Sequence, residues 1–136
     1  MTVRTPTIGE YRWHRRSWRR WSGRDWAPAT YSAFPQRLGR PREWATYPEL
    51  PELRRERLLE IAVDLEVLSG ATVVHRSERG VTLAQRRRVT HVGHFILTVV
   101  TGGLWGVVWV AVLLDRREDR TRYEVDAWGN IWPVAL

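Results

Sequence analysis

The sequence predicts an α+β membrane protein. One amphipathic helix and two β-hairpins, joined as a four-stranded antiparallel sheet, flank an apolar segment that is either a helical hairpin or a single transmembrane helix. Three observations predict this. Val89 to Leu114 contains no Asp, Glu or Arg. Residues 45–68 repeat apolar positions at helical spacing. Four short β-rich runs are paired across turn-forming residues. The expected organisation is an Arg/Trp-rich N-terminal arm over residues 1–46. A small α+β domain over residues 47–136 follows, interrupted by the membrane segment 89–114.

The helix comes first. Leu50, Leu53, Leu58, Ile61, Ala62, Leu65 and Leu68 recur at three- and four-residue steps, while Glu52, Glu56, Glu60 and Asp64 fall on another face. Thr46 to Glu49 has the spacing of a capping box, but Pro51 moves the start of the regular helix towards residue 50. Ser69-Gly70 supplies the stop, since glycine takes the left-handed conformation that closes a helix.

Ala71 to Arg76 and Val81 to Arg86 form one expected hairpin around Ser77-Glu78-Arg79-Gly80. Arg122 to Asp126 and Ile131 to Val134 form the second, around Ala127-Trp128-Gly129-Asn130. Pro133 has no N–H to give a ladder, which makes the last strand an edge or a strand end. In the arm, Trp18-Arg19-Arg20-Trp21, Ser22-Gly23 and Trp26 to Tyr31 have the pattern of a further short hairpin.

Phe95 to Leu114 alone, as a straight helix, spans about 30 Å, one hydrocarbon core. Thr98, Gly102 and Gly106 lie four apart, and Gly102-x-x-x-Gly106 is a close-packing pattern of membrane helices, which favours one span. A hairpin turning at Thr101-Gly102-Gly103 is favoured by the flanks. Arg86, Arg87 and Arg88 precede the run and Arg116, Arg117, Arg120 and Arg122 follow it, so both ends prefer the cytoplasmic side. A single span would also strand residues 115–136 with one hairpin of their own, which is marginal in isolation. The hairpin is the preferred topology, and it has a cost. Arms of about 17 Å reach only halfway across, so insertion would be shallow or oligomeric. Phe95, Gly102, Gly103, Trp105, Gly106, Trp109 and Leu114 mark this segment. The expected location is the cytoplasmic membrane, with the polar part cytoplasmic.

Charge is uneven. Residues 1–46 hold ten Arg against Glu10, Asp25 and Glu43, the whole net +7, whereas residues 47–136 balance twelve Arg against twelve acids. Every basic residue is Arg, which excludes Schiff-base and P-loop lysines. With no Cys, disulfides, thiolate nucleophiles and Cys-based zinc sites are excluded too. Met1 to Trp13 has no apolar run, so no secretory signal is expected.

The candidate binding surface is Arg12, Trp13, Arg15, Arg16, Trp18, Arg19, Arg20, Trp21, Arg24 and Trp26. Arginine pairs with phosphate and tryptophan stacks on bases or sits at lipid headgroups, so nucleic acid and an anionic leaflet are the two partner classes. His91 and His94, with His75, are weak candidates for a metal or proton site. Interfacial histidines marking the start of the apolar run are the plainer reading, and the metalloprotease pattern His-Glu-x-x-His is absent. Trp105 and Trp109, four apart, share a helix face and read as packing or belt residues. No nucleophile elbow, dinucleotide loop or P-loop occurs, and no cofactor is expected.

Two resemblances add to this. Arg20 to Trp26 is similar to a short actinobacterial module of the form Arg-x-Trp-Asp-Gly-x-x-Trp, with Ser22 where that module has Asp. Over residues 70–132, His91-x-x-His94, Thr101-Gly102-Gly103-Leu104-Trp105, Val108-Trp109 and Val125-Asp126-x-x-Gly129 resemble uncharacterised small membrane proteins of actinobacteria and their phages. The resemblance implies a membrane protein and implies no activity. The expected function is therefore a non-enzymatic membrane-associated adaptor, its partners the lipid bilayer, a second copy or a membrane protein. The alternatives are a tethered nucleic-acid binder and a His-dependent metal site in a membrane enzyme.

Overall fold

A computed structural model describes residues 4–40, 46–86, 89–115 and 117–136. Ala45 at the expected helix start, and Arg87, Arg88 and Arg116 among the expected basic flanks, lie outside the described residues. The chain divides into two compact units, residues 85–119 and the remainder.

The larger unit begins with β1 (Tyr11–His14), β2 (Ser17–Trp21) and β3 (Trp26–Ala27), an antiparallel three-stranded sheet in that order. β4 (Tyr31–Ser32), α1 (Pro35–Leu38) and α2 (Glu52–Leu68) follow, then β5 (Thr72–Ser77) and β6 (Gly80–Arg86). After the second unit come β7 (Glu118–Val125) and β8 (Asn130–Ala135). They complete a five-stranded sheet of order β4-β8-β7-β6-β5.

Alternation along the strands divides the sheet between two coverings. Tyr123 packs with Val63 and Leu59 of α2 and with Ala71, Val81 and Leu83. The next residue, Glu124, points the other way and pairs with Arg20 of β2 at 3.1 Å. On β8, Ile131 lies beside Leu58 and Ala62, whereas Trp132 meets the Tyr11 ring edge-on, centroids 5.6 Å apart. The five-stranded sheet is thus covered by α2 on one face and by β1–β3 on the other.

Several expectations change. The sheet has five strands, because Tyr31 and Ser32 add β4 alongside Ile131 and Asn130. That places β8 inside the sheet, although β4 ends before Pro133 and covers only two residues. A second, three-stranded sheet occupies the N-terminal segment. α2 starts at Glu52, directly behind Pro51 and near the start that Pro51 indicated, but with no side-chain cap, so Thr46 to Glu49 does not act as a capping box for it. Its buried residues are Ala62 and Val63, while Leu53, Ile61, Leu65 and Leu68 are exposed, so the expected apolar stripe is rotated from the real contact face.

The second unit contains α3 (His91–Val100) and α4 (Leu104–Leu114), joined at Thr101-Gly102-Gly103. Here the membrane reading fails. No described helix is long and apolar enough to cross a membrane. The cause is local. Gly102 and Gly103 adopt φ of 63° and 98°, conformations open to glycine, and they break what length alone presents as one continuous run. Helices of ten and eleven residues reach about 15–17 Å, half a hydrocarbon core. The α+β membrane fold with a transmembrane segment, and the cytoplasmic-membrane location inferred from it, are overturned because neither of these helices is long enough to cross a membrane.

Candidate functional site: the outer face of the Arg/Trp sheet

Register assigns the faces of the three-stranded sheet, since directly paired residues point the same way. Arg12 pairs with Arg19, His14 with Ser17 and Trp21 with Trp26, which puts these six on one face. Tyr11 pairs with Arg20 and Trp13 with Trp18, on the other. That other face is the one turned to the large sheet. Its Arg20 is held by Glu124 and lies over the Tyr11 ring, Trp13 packs edge-on against Trp18, and the Trp18 indole N–H donates to the Arg40 carbonyl. Burial and the nearby Asp126 carboxylate push the Tyr11 phenol well above its ordinary value.

The outer face gathers the chemistry. Arg12, His14, Arg15, Arg19 and Trp26 line a shallow cavity of about 250 Å³. Arg12 and Arg15 are exposed and Arg19 half-buried. The Arg12 guanidinium lies 5.8 Å from the centre of the Trp26 ring. Trp26 in turn stands 5.4 Å from Trp21, rings tilted by 59°. Arg19 gives one long hydrogen bond to the Trp26 carbonyl, 3.4 Å, while its Nε is buried with no hydrogen-bond partner among the described residues. Among the described residues no carboxylate lines the cavity, so the described side chains set a field of converging cations beside two indoles.

The turn between β1 and β2 sharpens this. Pairing of His14 with Ser17 leaves a two-residue loop, Arg15-Arg16, with φ of 47° and 64°. Such loops suit the strand twist and are normally made of Asn and Gly. Two arginines in the left-handed region are strained by about 1 kcal/mol or more each. They sit exposed at the tip, beside the cavity that Arg15 helps to line. The opposite turn is anchored differently: Ser22 Oγ donates to Asp25 Oδ1 at 2.6 Å and accepts the Asp25 and Arg24 amides.

Of the ten residues expected to form the surface, Arg12, Arg19, Trp21 and Trp26 share the outer face, Arg15 and Arg16 form its tip, and Arg24 is exposed in the far turn. Trp13, Trp18 and Arg20 face inward. His14 was missed by sequence reasoning. Its position two residues after Arg12 in an alternating strand was the available signal.

The histidines lie elsewhere. His75 lines a separate open cavity of about 470 Å³ with Glu78, Arg79 and Arg122. In the hairpin, the Trp105 indole N–H donates to His94 Nδ1 at 3.1 Å, and the His94 ring is nearly parallel to that of Trp109. No group of three or more His, Asp or Glu able to hold a metal ion occurs among the described residues.

The family described as the N-terminal domain of a domain of unknown function (DUF8108) matches residues 59–122. That range runs from the middle of α2 into β7 and includes the apolar hairpin, while the Arg/Trp sheet lies outside it. No curated protein and no solved structure matches the chain. Residues 59–122 are thus similar to that N-terminal domain.

Proposed function

We propose that this chain is a non-enzymatic binding protein that engages single-stranded nucleic acid through the outer face of β1–β3. The observation that carries the reading is the cavity of Arg12, His14, Arg15, Arg19 and Trp26, with no carboxylate among its described lining residues and the Trp21–Trp26 pair beside it. Guanidinium groups bind phosphate through paired N–H donors, and indoles stack on bases of any sequence. An anionic leaflet would be the favoured partner of these residues if a spanning helix stood in the same chain, and no described helix is long and apolar enough to span.

The test is a fluorescence-anisotropy titration of a labelled oligothymidylate with the full chain, beside Arg12→Gln/Arg19→Gln and Trp26→Leu variants whose far-UV spectra match the parent. Binding weakened tenfold or more in the double variant, and severalfold in Trp26→Leu, supports the reading. Unchanged affinity in both rejects it. Competition by polyphosphate as effective as by the oligonucleotide would also reject it, since bases then add nothing.

A further inference from the structure

We infer that the α3–α4 hairpin is the contact surface between two copies of this chain. Within the hairpin the seam is made of small, polar and aromatic groups. Gly93, His94, Thr98, Trp105, Gly106 and Trp109 are its half-buried residues. Thr98 Cγ2 lies 3.5 Å from where a Cβ on Gly106 would stand, so the two arms meet here at ordinary contact distance. The aliphatic side chains point outward instead. Neither helix has a buried residue, and Val92, Val100, Leu104, Val107 and Leu114 are 70–79% exposed. A helical hairpin that closes on itself in water puts its aliphatic side chains inside. This one has them outside.

Area and charge point to the occupant. Summed around both helices rather than over one face, the exposed aliphatic groups between Val92 and Leu114 amount to on the order of 1,000 Å². The largest apolar patch of an ordinary monomer is about 300–600 Å². A stable interface covers about 800 Å² on each partner, which this hairpin can supply from one copy. No Asp, Glu or Arg occurs from Val89 to Leu114, so the surface has no charge with which to select an unlike partner or to repel an identical one. A surface of one chemistry throughout is complementary to itself. Two hairpins laid face to face give a four-helix bundle, and a two-fold axis closes the assembly at two copies. This does not depend on the nucleic-acid reading, because it uses none of β1–β3.

The test is sedimentation equilibrium of the full-length chain in detergent-free buffer, over a concentration series, with Val107→Asp and Leu104→Asp variants alongside. A reversible monomer–dimer equilibrium, weakened at least tenfold by either substitution, is the expected result. Since the chain has no cysteine, a Val107→Cys variant joined by a short bismaleimide gives an independent readout of a covalent pair. A monomer at all concentrations overturns the inference. So does a dimer indifferent to both aspartates, unlimited aggregation, or a chain that stays dispersed only with detergent. A dimer that dissociates onto phosphatidylcholine vesicles, with the Trp emission shifting to the blue, also overturns it and identifies lipid as the occupant.

Discussion

Trp132 donates its indole N–H to Asp126 Oδ2 across 2.8 Å, in a position where the tryptophan is fully enclosed. The same carboxylate accepts the Asn130 side-chain amide at 2.9 Å and the backbone N–H groups of Trp128 and Asn130. One acid therefore organises the β7–β8 turn and satisfies two buried side-chain donors.

Asp126→Ala is accordingly expected to destabilise the fold by about 3 kcal/mol, because it removes the carboxylate that accepts from both the Trp132 indole and the Asn130 side-chain amide in a buried setting. Urea unfolding followed by tryptophan fluorescence measures it. A loss below about 0.5 kcal/mol would mean that neither donor depends on this carboxylate.

Gly80 stands at φ 151°, and a Cβ there would run into the Tyr123 carbonyl of the neighbouring strand. Backbone cannot swing aside as a side chain can. Gly80→Ala is expected to cost about 3 kcal/mol or more, with local separation of β6 from β7. Hydrogen exchange at the β6 amides should rise; protection equal to the parent would contradict the close approach.

Stability should fall in alkali. Burial first, then the Glu66 charge, pushes the Tyr123 phenol from its ordinary 10.0 up to about 12. Tyr31 is raised by burial and by its hydrogen bond to Glu66, and Tyr11 by burial and Asp126. Below the unfolded value these phenols are neutral in both states. Above it the unfolded chain ionises first, so the contribution is full below about pH 10 and is lost as pH rises towards about 12. Urea midpoints taken between about pH 9 and pH 11 should drop, and Tyr123→Phe should flatten the drop. A midpoint independent of pH would show that the phenols are not enclosed.

If Arg12 contacts phosphate, Arg12→Gln should weaken oligonucleotide binding at low salt and reduce the magnitude of the log–log salt slope by about 0.7. Parallel titrations over a range of NaCl concentrations give the slope. An affinity that falls with the slope unchanged would assign Arg12 to packing on Trp26 instead.

What the sequence disclosed follows a physical line. Local signals were readable: the Ser69-Gly70 stop, the β5–β6 turn and the pairing of β2 with β3 depend on a few adjacent residues. The membrane assignment failed although the turn at Thr101-Gly102-Gly103 was weighed, because a long uncharged run was read as lipid-facing, and neither of the two helices it forms is long enough to cross a membrane. The contact face of α2 was only partly read: Ala62 of the expected stripe is buried, but Leu53 and Leu68 at its ends stay exposed and Val63, outside the stripe, is buried beside Ala62.

The Arg/Trp surface was half legible. Composition identified it, but only register separates Arg12, Arg19 and Trp26, which face outward, from Arg20, which Glu124 holds at the sheet interface. Glu124 lies 104 residues from Arg20 in the chain, and no local pattern announces such a pair. β4 went unseen for a like reason: Tyr31 and Ser32 become a strand only because Ile131 and Asn130 lie alongside.

The left-handed Arg15-Arg16 loop sets folding and recognition against each other. Replacing it by Arg15→Asn/Arg16→Gly would relax the backbone and raise the melting temperature, yet would strip two cations from the hairpin tip. Selection for robustness alone would drift towards that sturdier loop. If the outer face binds nucleic acid as proposed, a thermal screen would score these two arginines as a flaw and a binding screen would score them as an asset.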